Sequence, residues 1–169
     1  FFHGCAGGYF ETATSKAAVE VLEHIGYEVL APKQGCCGLA HQSNGLFDRA
    51  SKKVRQLVKQ LNEAGKDLTI VASSGSCAGM LRHEAHEIMG LDDPDLLDVG
   101  ARTIELSEFL AELIDEGEFP IEDLQRWDIT IPYHQPCQVK SQGIGKPAIK
   151  VMETIPGVTV VESGEACCG

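Results

Sequence analysis

The sequence contains no run of roughly 18 consecutive apolar residues, the length that a membrane-spanning helix requires. It has no charged-then-apolar leader followed by small residues, so we expect no secretion signal within it. Neither a P-loop nor a G-x-G-x-x-G after a predicted strand is present. The residues therefore do not indicate a nucleotide or flavin site.

Basic residues are also scarce, with 14 Lys and Arg against 25 Asp and Glu and a net charge of −11. This balance argues against nucleic acid as a partner, because phosphate binding needs a basic surface. The charge is uneven: residues 33–66 hold seven basic and two acidic side chains, whereas residues 84–128 hold fifteen acidic and two basic. The simplest interpretation of the acidic stretch is a solvated face, with a docking surface or adaptation to a salty cytoplasm as alternatives.

The chain lacks a C-x-x-C motif although it contains seven cysteines. Their odd number, two adjacent pairs and the lack of an export signal argue against a disulfide framework. Adjacent cysteines do not easily bond to each other, but both can face one metal centre, and soft thiolates favour iron–sulfur or zinc ligation. The predicted metal ligands are Cys5, Cys36, Cys37, Cys77, Cys137, Cys167 and Cys168.

Segments with strand and helix patterns alternate along the chain, which predicts an α/β fold with parallel sheets flanked by helices. A linker is expected at 92–98 and cysteine-bearing loops at 32–38, 73–77, 134–137 and 167–169. The predicted strands cover 1–2, 27–30, 68–72, 129–133 and 158–161. The predicted helices run from Thr12 or Thr14 to 25, from Asp48 to 64, and over 103–116 and 147–154.

Two parts of the chain repeat the same order of strand, cysteine loop, helix, glycine, strand and double-cysteine loop. Cys5 precedes Cys36 by 31 residues and Cys137 precedes Cys167 by 30, and the alignment matches Gly26 with Gly157. This correspondence predicts an internal duplication. We expect a complete first repeat at 1–100, an acidic helical connection at 101–127, and at 128–169 the start of a second repeat, in a sequence that is a piece of a longer protein.

Four cysteines of the first repeat follow predicted strands, and ligands in open α/β sheets sit beyond the carboxyl ends of the strands. Cys5, Cys36, Cys37 and Cys77 would therefore meet at one sheet edge and complete a four-thiolate iron–sulfur site. The second repeat offers Cys137, Cys167 and Cys168 without a fourth cysteine.

Other interpretations remain open, among them redox-active cysteines that exchange thiols and disulfides. Zinc also accepts four thiolates, although its common sites use short paired spacings. Histidine ligation by His3, His41 or His134 competes with ordinary loop histidines bonded to backbone, while His83 and His86 are expected at the surface. A nucleophilic Cys137 activated by His134 would explain neither the adjacent pairs nor the duplication, so no catalytic residue is assigned.

The motifs resemble the cysteine-rich CCG domain, which occurs twice in several iron–sulfur subunits. Among these are the iron–sulfur subunits of anaerobic glycerol-3-phosphate, lactate and glycolate oxidation and the B subunit of heterodisulfide reductase. The Phe-Phe-x-Gly-Cys opening and Ile-Pro-Gly favour the glycerol-3-phosphate type. The matching segments are Phe1-Phe2-His3-Gly4-Cys5, Cys36-Cys37-Gly38, Asn44-Gly45 with Asp48 and Ala50, Ser74-Gly75-Ser76-Cys77, Tyr133-His134-Gln135-Pro136-Cys137, Ile155-Pro156-Gly157 and Cys167-Cys168-Gly169.

The resemblance implies a cytoplasmic subunit held at the inner face of the membrane by its partners. It would take electrons from a flavin-containing dehydrogenase subunit and pass them towards quinone or a membrane-bound acceptor. The implied cofactor is a 4Fe–4S cluster, cubane or noncubane. Noncubane sites of heterodisulfide reductase use five cysteines, two of them in a C-x-x-C. Here Cys77 matches the second cysteine of that motif, whereas Ser74 occupies the position of the first.

Overall fold

The computed structural model describes residues 1–165, which places Cys167, Cys168 and Gly169 outside the described residues. The chain divides into two compact units, one covering Phe1–Leu106 and the other beginning at Ser107. Within the described residues, no helix combines the length and apolar character that a membrane crossing requires.

Unit 1 begins with four helices, and the two long ones, α2 and α4, bury residues at helical spacing. Helix α2 places Ala18 and Leu22 on its buried face and ends at Gly26, whose φ of 109° provides the left-handed cap predicted from the sequence. Helix α4 begins one residue before the predicted Asp48, which lies in its first turn. The helices are α1 (Gly4–Tyr9), α2 (Thr12–Ile25), α3 (Leu39–Gln42) and α4 (Phe47–Ala64).

Two short parallel strands, β1 (Ile70–Ala72) and β2 (Thr103–Glu105), form the sheet of unit 1. Phe2 joins β1 through a parallel bridge to Ala72, with hydrogen bonds from the Phe2 nitrogen to the Val71 carbonyl (2.8 Å) and from the Ser73 nitrogen to the Phe2 carbonyl (3.0 Å). The parallel pairing agrees with the predicted fold class.

Several predicted elements of unit 1 are wrong. The Ser73–Cys77 segment is not entirely loop, since helix α5 (Gly75–Gly79) begins within it and continues through one π-helical turn (Met80–Glu84) into α6 (Ala85–Glu87). The linker predicted at 92–98 is largely helix α7 (Pro94–Ala101), which Asp93 caps by accepting a hydrogen bond from the Asp95 nitrogen.

The strand predicted at 27–30 and the single helix predicted at 103–116 are wrong as well. Phe2 pairs with β1, and the hydrogen bond from the Phe1 nitrogen to the Leu30 carbonyl does not extend into a ladder. Residues 103–105 form β2, because Thr103 and Ile104 are β-branched and pair with buried β1, and only then does helix α8 (Leu106–Glu116) begin.

The core of unit 1 lies between α4, the sheet and the helices that follow it. Its largest fully buried side chains are Phe2, Val54, Leu57, Met80, Leu96 and Val99. Burial of these side chains fixes α4 and α5 to the sheet and so determines where the cysteine segments meet.

Unit 2 contains a second pair of parallel strands, and its predicted strands and helix are confirmed. Strands β3 (Ile129–Tyr133) and β4 (Val158–Glu162) pair over five residues, with helix α10 (Pro147–Thr154) between them in sequence. A 3₁₀ turn (Ile121–Asp123) precedes β3, and a short helix, α9 (Cys137–Lys140), follows it.

Candidate metal centre

Three chain segments bring four cysteine sulfurs together in unit 1. Cys5 lies in the first turn of α1, Cys36 and Cys37 precede α3, and Cys77 lies in α5. The Cys5 and Cys36 sulfurs are 3.6 Å apart, and the Cys37 and Cys77 sulfurs are 3.2 Å apart. Because Cys36 and Cys37 are neighbours in sequence, the two pairs form one cluster of thiols.

The four thiols of the cluster differ in burial, from the interior of unit 1 to its surface. Cys37 is buried, with 3% of its surface exposed, and belongs to the hydrophobic core. Cys36 and Cys77 are half-buried, whereas Cys5 is exposed. A group bound by these sulfurs would therefore have one protected side and one side open to solvent or to a partner.

Two polar side chains that the sequence reasoning missed tie the segments together. Gln34 accepts a hydrogen bond from the His3 nitrogen at 2.9 Å and donates to the Phe1 carbonyl at 3.0 Å. Ser73 donates to the His3 carbonyl at 3.1 Å. Both side chains thus fix the segment before Cys5, and nothing in their spacing or composition distinguishes them from ordinary loop residues.

Two glycines make room for the cluster. Gly4 has a φ of 65°, and a Cβ there would lie 3.0 Å from the Cys77 sulfur. Gly38 has a φ of 87°, and a Cβ there would lie 2.9 Å from the Ala50 carbonyl oxygen. Each position therefore favours glycine both by its backbone conformation and by the lack of space.

The Gly38 backbone also contributes directly, since its N–H donates to the Cys36 sulfur at 3.4 Å. A second contact holds α3 beside the π-helical turn, where the Gln42 side chain donates to Glu84 at 2.9 Å. These contacts fix the double-cysteine segment against the helix that carries Cys77.

Burial and mutual contact make three of the thiols, Cys5, Cys36 and Cys37, hard to ionise. Burial raises the pKa of Cys5, and its contact with Cys36 adds to the effect. The hydrogen bond with Cys37 raises the pKa of Cys36, with burial second. For Cys37 the bond with Cys36 lowers the pKa, but contact with Cys77 and burial outweigh it and raise the pKa to about 12. A bound cation would reverse this balance by stabilising the thiolates.

The donor set fits a soft metal or an iron–sulfur cluster, because the converging ligand atoms are four cysteine sulfurs. Among residues 1–165, no three His, Cys, Asp or Glu side chains are already arranged around a single ion. The paired sulfurs lie closer than the roughly 3.8 Å edge expected of a tetrahedral zinc–thiolate site. Binding of either group therefore requires the sulfurs to separate.

The remaining predicted ligands are not assembled within the described residues. Cys137 is exposed at the start of α9, while its predicted companions Cys167 and Cys168 lie outside the part of the chain that the structure describes. The nearby His134 ring nitrogen Nδ1 is 3.1 Å from the Ser163 hydroxyl oxygen. The second site stays a prediction.

The histidines expected to be ordinary residues have local partners. The Nδ1 atom of His3 lies 2.6 Å from the Gly4 carbonyl oxygen. His83 and His86, expected at the surface, lie 3.3 Å from Glu87 Oε1 and from the Leu91 carbonyl oxygen, respectively. His86 is exposed and His83 is half-buried.

Residues 1–82 match the family described as a cysteine-rich domain, CCG. That segment contains all four clustered cysteines, and the resemblance inferred from the motifs is confirmed. No solved structure matches the chain at a significant level.

Curated relatives match the whole chain. It is 32% identical to the C subunit of anaerobic glycerol-3-phosphate dehydrogenase of Escherichia coli, over 100% of this chain and 42% of the relative. It is 29% identical to lactate utilization protein A of Oceanobacillus iheyensis, over 99% of this chain and 68% of the relative. It is 30% identical to the D subunit of dihydromethanophenazine:CoB–CoM heterodisulfide reductase of Methanosarcina acetivorans, over 100% of this chain and 42% of the relative. The chain thus spans less than half the length of two of these relatives.

Proposed function

We propose that this chain is the electron-transfer part of an iron–sulfur subunit, with the cluster held by Cys5, Cys36, Cys37 and Cys77. The observation that carries the proposal is the convergence of these four sulfurs from three separate segments, at 3.6 and 3.2 Å within the pairs. The match of residues 1–82 to the cysteine-rich CCG family supports it.

The residues around the sulfurs suit this role. A bound iron–sulfur cluster exchanges electrons at a potential set by its charge, by hydrogen bonds to its sulfurs and by solvent exposure. The Gly38 N–H that donates to the Cys36 sulfur stabilises added negative charge there. Buried Cys37 restricts water on one side, and exposed Cys5 leaves the other accessible to a redox partner.

We further propose that the wider complex is a dehydrogenase of the glycerol-3-phosphate type. A flavin-containing subunit would donate electrons, and quinone or another membrane-bound acceptor would receive them. The support is the similarity to subunits of a dehydrogenase and a reductase. Under this proposal the chain is cytoplasmic and reaches the membrane through its partners, and Cys137, Cys167 and Cys168 contribute to a second site.

The test is the cofactor content of the full 169-residue chain, prepared anaerobically and reconstituted with iron and sulfide. We expect iron and acid-labile sulfide in similar amounts and an EPR signal in the reduced protein. Cys77→Ser should lose most of the iron and sulfide, while the matched control Cys137→Ser should keep the cluster of the first site. Circular dichroism of both variants would check that the fold is retained.

Two results would contradict the proposal. A protein without iron after reconstitution would exclude the cluster. Stoichiometric zinc without sulfide, together with loss of thermal stability on chelation, would instead support a zinc-stabilised docking domain.

A further inference from the structure

The first two turns of α4 carry a basic surface next to the cysteine cluster of a strongly acidic chain. We propose that this surface, formed by Leu46, Phe47, Arg49, Lys52 and Lys53 and here called the α4 patch, docks an acidic protein partner. The inference rests on the proposed function, because a redox partner must approach the cluster closely.

The position of the α4 patch follows from the close packing at Gly38. A Cβ at Gly38 would lie 2.9 Å from the Ala50 carbonyl oxygen and 3.3 Å from the Lys53 Cβ. The Gly38 nitrogen in turn contacts the Cys36 sulfur at 3.4 Å. The start of α4 therefore lies directly against the segment that carries two of the proposed ligands.

Within the described residues the three cations of the α4 patch form no ion pair, although Asp48 lies one helical turn before Lys52. Arg49, Lys52 and Lys53 are exposed and share one helix face by their spacing of three and four residues. Ion pairs of α4 occur further along the helix, where Arg55 contacts Asp93 at 3.0 Å and Lys59 contacts Glu63 at 3.8 Å. The three cations at the start of the helix remain available to a partner.

Helix stability does not explain this arrangement. The amino end of a helix carries a partial positive charge, which disfavours nearby cations, and Asp48 is the acidic residue of the first turn. Next to the cations, Leu46 and Phe47 expose 44% and 48% of their surfaces. Exposed apolar side chains next to charged ones are common at protein interfaces.

An acidic protein fits the α4 patch better than a membrane does. Surfaces that bind anionic lipids usually carry clusters of four to eight Lys or Arg, whereas this surface has three. A protein that presents carboxylates locally would be guided to the cluster without contacting the acidic regions.

The test measures binding of the full chain to a fluorescein-labelled peptide of alternating glutamate runs and phenylalanines, by fluorescence anisotropy at low and high salt. We expect salt-sensitive binding that weakens at least about tenfold in the triple variant Arg49→Gln, Lys52→Gln, Lys53→Gln. Lys52→Gln should weaken binding more than Lys59→Gln, a matched exposed lysine two turns further along the same helix. Circular dichroism checks that each variant is folded.

An unchanged dissociation constant in the triple variant would overturn the proposal. A second outcome would also overturn it: the unmodified chain binds phosphatidylserine–phosphatidylcholine vesicles but not the peptide, and the triple variant no longer binds the vesicles. This result would assign the patch to a membrane. Iron content of the same samples separates the two proposals. If the protein contains no iron but binds the peptide through the α4 patch, only the proposed function is overturned. If it contains iron but does not bind the peptide through the patch, only the docking surface is overturned.

Discussion

The two units contain the same structural motif, a pair of parallel strands, in different surroundings. Strand β1 in unit 1 is buried along its whole length, and its partner β2 buries Thr103 and Glu105. Strands β3 and β4 in unit 2 are longer but contain no buried residue, since each of their side chains is half-buried or exposed. β-Branched residues and a continuous backbone ladder form the pair in unit 2.

The glycines that the predicted duplication aligns differ in a similar way. Gly26 and Gly157 both have positive φ, 109° and 89°. A Cβ at Gly26 would meet nothing within 4 Å, whereas at Gly157 it would lie 2.7 Å from Asp128 and 3.1 Å from the Trp127 backbone. The conformation is shared, but only in unit 2 does the turn pack against the residues that lead into a strand.

The largest expected difference between the units concerns burial. Leu57 in α4 is fully buried, whereas Val161 in β4 is 53% exposed. Leu57→Ala should lower the free energy of unfolding by about 2–5 kcal/mol, because it leaves a cavity in the core. Val161→Ala should change it by about 0.5 kcal/mol or less. Urea unfolding followed by circular dichroism measures both, and equal losses would contradict the contrast in burial.

A smaller difference is expected at the aligned glycines. Gly26→Ala should cost about 1 kcal/mol, the penalty for a left-handed alanine. Gly157→Ala should cost roughly 2–3 kcal/mol, because the added methyl group also collides with Trp127 and Asp128. Thermal unfolding of the two variants side by side tests this order, and a larger loss for Gly26→Ala would show that the crowding at Gly157 is relieved without cost.

The smallest expected effect is a difference in thiol reactivity. In chelator-treated, reduced protein, iodoacetamide should modify exposed Cys137 at least about tenfold faster than Cys37, which is 3% exposed. Mass spectrometry of quenched time points gives both rates from one sample. Similar rates would mean that Cys37 opens to solvent readily, and the contrast between protected and open thiols would then fail.

Helical periodicity and glycine positions were enough to predict much of the fold. The apolar spacing of α4 and the glycine that ends α2 identify those helices, because both signals are local. The four cysteines of the cluster could also be predicted as metal ligands, because the odd number of cysteines and their adjacent pairs argue against a disulfide framework. The family resemblance supplied the expected cofactor.

The errors come from long-range contacts. Residues 27–30 have a strand-like pattern, but Phe2 pairs with β1 some 70 residues away, which local sequence does not reveal. Residues 103–105 continue the apolar pattern of α8, yet they are drawn into the sheet by β1. Gln34 and Ser73 act through contacts with a distant backbone, so neither carries a motif.

The contact between Ser73 and His3 joins residues 70 positions apart and has a consequence for how the protein is made. While the ribosome is still synthesising the segment before β1, the nascent chain offers Cys5, Cys36 and Cys37 without the strand that positions the first of them or the helix that brings Cys77. The set of four thiols exists only after α5 has left the ribosome and folded onto the sheet. Under the proposed function, the cluster can therefore be inserted only after this point of synthesis.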